Sequence, residues 1–110
     1  MITTERLQLA LRVTDRALAH QRAIDDLAEA QRRLDQGYAD FFEEHGRPFD
    51  DRRPINPEIE EFFPVIDATR HLYINRCNAR QAANTAKRKL RLAVRAVERY
   101  DAAFNPQGAA

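Results

Sequence analysis

Phe41-Phe42-Glu43-Glu44 is followed by its own reversal, Glu60-Glu61-Phe62-Phe63, and the two flank a break punctuated by glycine and proline. That break runs from Gly46-Arg47-Pro48 to Pro54-Ile55-Asn56-Pro57. Proline removes a backbone donor and clashes with the preceding helical turn, and glycine frees the backbone for turn conformations, so no helix continues through such a stretch. A mirrored sequence around it describes a chain that runs out, turns and comes back. The phenylalanines close its tip as an aromatic cluster.

The arms on either side carry helical spacing. Thr3 or Thr4 caps a first helix, with Glu5 in its first turn. Ala10, Val13, Ala17, His20, Ile24, Leu27, Gln31, Leu34, Tyr38 and Phe41 then recur in alternating steps of three and four, which places them on one stripe. Gly46 and Pro48 stop it. The expected helix covers residues 4–45, roughly 60 Å at about 1.5 Å per residue. Asn56-Pro57-Glu58 combines a capping side chain, a first-turn proline and an acid, which predicts a short helix near 57–63. Pro64 then forces a kink or restart. A second long helix is expected over 64–104, with the stripe Thr69, Leu72, Arg76, Ala79, Ala83, Ala86, Leu90, Ala93, Val97, Tyr100 and Phe104. Asn105-Pro106 ends it, and 105–110 should fray.

Laid antiparallel, the stripes set Ile24 against Ala83, Ala17 against Leu90, Ala10 against Val97 and Gln31 against Arg76. Large meets small in the first three, which lets layers interdigitate. The fold class is therefore all-α, a single helical-hairpin domain over 1–110 with a turn region at 46–63. Leu7, Leu11 and Leu18 lie off the first seam, and Ile74, Ala82, Leu92 and Ala96 widen the apolar arc of the second helix. No residues remain for a third packing element, and a small core is commonly completed by association. A homodimer forming a four-helix bundle through these seven residues, or a hairpin laid on another protein, is expected.

Composition removes several function classes. With 44% apolar residues and a net charge of +1, the chain is not of the disordered type, and its total charge points to neither nucleic acid nor membrane. One cysteine, Cys77, excludes an internal disulfide framework and a cysteine-based metal cluster. No apolar run reaches the ~18 residues of a membrane span. The N-terminus lacks the basic and apolar regions of a signal peptide, so a cytoplasmic location is expected. His20, His45 and His71 are too dispersed for a helical metal site, and no phosphate loop or nucleophile elbow occurs. Glu43/Glu44 and Glu60/Glu61 are adjacent pairs, which a helix splays by about 100°, so they do not form an acid–base dyad. No enzyme activity, cofactor, metal or small-molecule substrate is inferred.

Charge is nevertheless segregated. Between Arg70 and Val97 there are eight basic side chains and no acid. Of these, Arg76, Arg80, Lys87, Arg88, Arg91 and Arg95 are the candidate phosphate contacts of a nucleic-acid-binding face. Alternatively they solvate one face and pair with Asp15, Asp25, Asp26 and Glu29 across the hairpin or the bundle. The turn region is the opposite, with nine acids against three arginines from Asp35 to Glu61. There Phe49, Asp50, Asp51, Glu43, Glu44, Glu60 and Glu61 form a candidate acidic docking tip, with Phe49 as an anchor or else folded back onto Phe42 and Phe62.

A chain of this length that forms a dimerising helical hairpin resembles in outline a family of small secreted hairpin proteins marked by a Trp-x-Gly turn. This chain has no tryptophan and carries Phe49-Asp50-Asp51 in its turn, so no function is carried over. In size and composition it also resembles small regulators encoded by phages and plasmids. The expected function is a non-enzymatic, regulatory protein–protein interaction of bacterial or phage type. The alternatives are nucleic-acid binding by the basic arc, or inhibition of a host nucleic-acid enzyme whose basic groove takes the acidic tip.

Overall fold

The computed structural model describes residues 2–104, which form an all-α helical hairpin. α1 covers Thr4–His45, a single 3-10 turn covers Glu60–Phe62, α2 covers Phe63–Ala68 and α3 covers Arg70–Phe104. The expected end of the second long helix at Asn105-Pro106 and the fraying of 105–110 lie outside the described residues. Contacts divide into two compact units. One combines α1 up to Asp25 with α3 from Arg80; the other spans Asp26–Ala79.

In the first unit, Thr3 caps α1: its Oγ1 accepts from the Arg6 backbone N–H at 3.1 Å, and its carbonyl accepts from Leu7 at 3.0 Å. The antiparallel register is visible in polar pairs. Thr3 and Tyr100 share a hydroxyl–hydroxyl hydrogen bond at 2.5 Å. Arg6 donates to both carboxylate oxygens of Asp101, at 2.8 and 3.2 Å. Arg6–Asp101 extends the expected Ala10–Val97 register by four residues on each helix.

The α3 stripe is observed nearly as the spacing predicts. Ala83 and Ala93 are buried, Ala86, Leu90, Val97 and Tyr100 are half-buried, and only Phe104 is exposed. The α1 stripe needs correction. Val13, His20 and Leu27 are half-buried as expected, but Ala17 and Ile24 are exposed, and Arg16 and Ala23 are turned inward instead. The expected Ile24–Ala83 and Ala17–Leu90 contacts therefore do not form the core. Both phases of a three/four alternation share every seventh residue, so spacing alone leaves the intervening position open to either neighbour.

The second unit holds the bulky core: Leu34, Phe62, Val65 and Thr69 are at most 4% exposed. Gly46 ends α1 with φ +77° and donates to the Phe42 carbonyl at 2.8 Å, the left-handed stop that glycine allows. The returning chain forms the expected short helix and restart with shifted bounds, and it adds a second interruption at Thr69. Asn56 caps a turn, its Oδ1 accepting from the Glu58 N–H at 2.9 Å, and the short helix that follows is the 3-10 turn over Glu60–Phe62. Pro64 lies in the first turn of α2, the restart expected there, because its missing N–H costs nothing in that position. The interruption falls at Thr69, whose hydroxyl donates back to the Val65 carbonyl at 2.7 Å. Such back-bonding bends a helix, and here it separates α2 from α3.

The turn region also supplies the third packing element that the sequence seemed too short to provide. Phe62 and Val65 bring 2% and 1% exposed side chains into this unit. Gly37 permits a close approach on α1: a Cβ there would lie 2.6 Å from Leu72 Cδ1 and 3.5 Å from Thr69 Cγ2. Gln31 is half-buried, but its amide donates to Asp35 on its own helix at 3.0 Å rather than engaging Arg76.

Candidate functional site

Three surfaces emerge from this framework, and the charge expected to run along the chain follows the two units. The first unit's sequence range holds eleven basic and five acidic residues, a formal +6; the second holds seven and twelve, a formal −5.

The basic arc belongs mostly to the first unit. Arg80, Lys87, Arg88, Arg91 and Arg95 are exposed on α3. Among the described residues no carboxylate lies within ion-pair distance of any of them. Within one chain, and among the described residues, the alternative pairing with Asp15, Asp25, Asp26 and Glu29 does not form. Glu29 instead binds Arg32 and Arg33 on its own helix, and Asp25 accepts from Gln21 at 3.0 Å. Arg76 is separate, in the second unit and half-buried.

In the acidic turn, Glu43, Glu44, Asp50, Glu60 and Glu61 are exposed. Phe49 is not an outward anchor. Its ring centroid lies 5.6 Å from that of Phe62, and the Arg53 guanidinium sits 3.9 Å from its centre. Folding back removes apolar area from water and gains a cation–π contact. Asp51 is also engaged, accepting from Arg53 Nε at 2.7 Å and from Nη2 at 2.8 Å. These hydrogen bonds hold its carboxyl below the ordinary 3.8. The exposed carboxylates of the turn therefore do not surround Phe49 as an apolar anchor. Among the described residues no group of three His, Cys, Asp or Glu side chains could hold a metal ion.

The third surface is a cleft in the second unit that sequence spacing did not single out. Its volume is about 740 Å³, within the range of small-molecule sites, and its wall is mostly apolar. Ile55 and Pro57 come from the turn, Ile66 from α2, Tyr38 from α1, and Tyr73 and Ile74 from α3. Thr69, Arg70 and Arg76 complete it. Arg70 is neutralised by Asp67 at 2.6 Å. Arg76 has its guanidinium carbon 5.2 Å from the Tyr73 ring centre, and its Nε is shut off from solvent with no acceptor. Burial raises the Tyr38 phenol above its ordinary 10.0, while the Arg76 charge pulls the other way. Tyr38 is therefore a neutral hydroxyl at physiological pH. One signal of this site was present in the sequence, since Arg76 is an arginine at a seam position. The contributions of Ile55 and Ile66 depend on how the turn folds back.

Of the seven expected dimer-interface residues, Leu7, Leu11 and Leu18 on α1 and Ala82, Leu92 and Ala96 on α3 lie in the first unit. Ile74 belongs to the second unit and lines the cleft. Leu7, Leu11, Leu18 and Leu92 are 50–54% exposed, Ala82 is exposed and Ala96 is half-buried. No helix among the described residues is long and apolar enough to cross a membrane. Comparison with protein-family models, curated proteins and solved structures finds no match.

Proposed function

We propose that the chain is a non-enzymatic interaction protein that works as a homodimer, joined through the exposed leucines of its first unit. The supporting observation is the exposure of Leu7, Leu11, Leu18 and Leu92 in a unit where, among the described residues, the buried apolar side chains are Ala83 and Ala93. Leu7, Leu11 and Leu18 are spaced by four and seven residues and share one helix face. Fully covering a leucine is worth about 1.5–3 kcal/mol, so a second copy seated on this row supplies what two alanines cannot. Multi-angle light scattering should report twice the 12.7 kDa chain mass. Leu11→Asp/Leu18→Asp should reduce it to one chain. A single-chain mass for the unsubstituted protein across a dilution series overturns the reading.

The unpaired arc favours a second reading, nucleic-acid binding by Arg80, Lys87, Arg88, Arg91 and Arg95 on a unit of formal charge +6. Phosphate contacts of this kind release counterions, so affinity should fall steeply with salt. Fluorescence anisotropy with duplex and single-stranded probes at low salt tests it. Arg80→Glu/Lys87→Glu/Arg91→Glu should abolish binding, and an unsubstituted protein that binds neither probe removes this reading.

A further inference from the structure

The cleft of the second unit has a chemistry that neither dimerisation nor phosphate binding uses. Its apolar walls come from four segments of chain, and its charges are almost balanced internally: Asp67 neutralises Arg70, and Tyr38 remains a neutral phenol. Arg76 is the exception. No side-chain or backbone acceptor among the described residues takes its donors, and its Nε is closed off from solvent. A guanidinium carries five N–H donors, and those of Arg76 other than the enclosed Nε keep contact with solvent and line the cleft, where they are open to an acceptor. The Tyr73 ring offers its face at 5.2 Å, which supports the cation but satisfies no hydrogen bond.

A carboxylate is the complement of such a group, because charge-assisted N–H···O bonds to a planar anion are the strongest a guanidinium makes. Phosphate fits less well, since one uncompensated positive charge in an apolar wall does not repay the desolvation of a dianion. The volume of about 740 Å³ also exceeds what a bare carboxylate fills. We propose that this cleft is a binding site for a small apolar monocarboxylic acid. The carboxylate lies on the Arg76 guanidinium, and the hydrocarbon part lies among Ile55, Ile66, Tyr73 and Ile74.

Octanoate is a suitable probe, with 1-octanol and acetate as comparators that each lack one half of the proposed recognition. Isothermal titration of the full chain should show saturable binding of one octanoate per chain. Octanol and acetate should each bind about tenfold more weakly or worse, since each forgoes either the charge-assisted bonds or the apolar burial. Arg76→Gln should weaken octanoate by about tenfold or more, and Ile74→Ser should weaken it without removing the preference over octanol. Ile74 is 49% exposed, so its replacement keeps the test usable even if Arg76→Gln does not fold, as judged by circular dichroism. Absence of saturable octanoate binding overturns the proposal, as does equal affinity for octanol. Binding seen only in the single-chain Leu11→Asp/Leu18→Asp variant also overturns it, because a second copy is then the occupant of the cleft.

Discussion

Gly37 offers the sharpest test of how α1 meets the returning chain. An alanine in a helix interior is favoured over glycine by about 0.8–1.0 kcal/mol, so on helix propensity alone Gly37→Ala should stabilise. The tertiary structure opposes this, because the added methyl would sit 2.6 Å from Leu72 Cδ1, close to 1 Å short of ordinary contact. Overpacking costs about 1–3 kcal/mol, and the colliding atom is the end of a half-buried side chain, which favours the lower part of that range. The net effect expected for Gly37→Ala is a loss of about 0–2 kcal/mol. Leu72→Ala alone should cost about 1–2 kcal/mol, near half the fully buried range. Once Leu72 is truncated the collision is gone, and adding Gly37→Ala should recover its propensity gain of about 1 kcal/mol. The double-mutant cycle should therefore show a coupling of about 1–3 kcal/mol, with the double variant more stable than Leu72→Ala. Urea unfolding followed by far-ultraviolet circular dichroism measures it, with all four proteins at one chain concentration because association shifts apparent stability. If Gly37→Ala has the same effect in both backgrounds, within the roughly 0.3–0.5 kcal/mol of simple additivity, α1 and α3 do not approach at Gly37 and the register is wrong.

Other substitutions separate core from surface. Leu34→Ala should lose about 2–5 kcal/mol in the same unfolding assay, since Leu34 is 2% exposed. Ala83→Leu should cost about 1–3 kcal/mol by overpacking a residue that is 7% exposed, and an unchanged midpoint would contradict its seam position. Asp101→Asn should shift stability by less than about 1 kcal/mol despite removing a two-point ion pair, because both partners remain solvent-accessible. The raised Tyr38 phenol gives a signed pH dependence. The folded chain disfavours its ionisation, so this contribution is intact below 10.0 and is lost as pH rises through the higher folded-state value. Alkaline unfolding curves of Tyr38→Phe should accordingly fall less steeply than those of the unsubstituted chain, and identical slopes would discount the burial of Tyr38.

Local rules account for much of what the chain forms. A glycine with a left-handed φ, a capping threonine and a run without proline specify α1 wherever the rest of the molecule lies, because each acts within a few residues. The α3 seam was equally legible, since alanines recur at its core positions between polar neighbours. Around Ala17 and Ile24 the more apolar pair is not the one turned inward, so spacing and apolarity together pick the wrong side. The structure half-buries Arg16 and Ala23 instead. The turn lay furthest beyond sequence reasoning. Pro64 is compatible with a break or a start, and only the burial of Phe62 and Val65 makes it a start. That same folding back pulls Phe49 inward and brings Ile55 and Ile66 to Tyr38 and Arg76, creating the cleft. Charge segregation was written in the sequence, but which charges find partners was not. That depends on side-chain distances of a few ångströms, which the antiparallel register and the close approach at Gly37 decide.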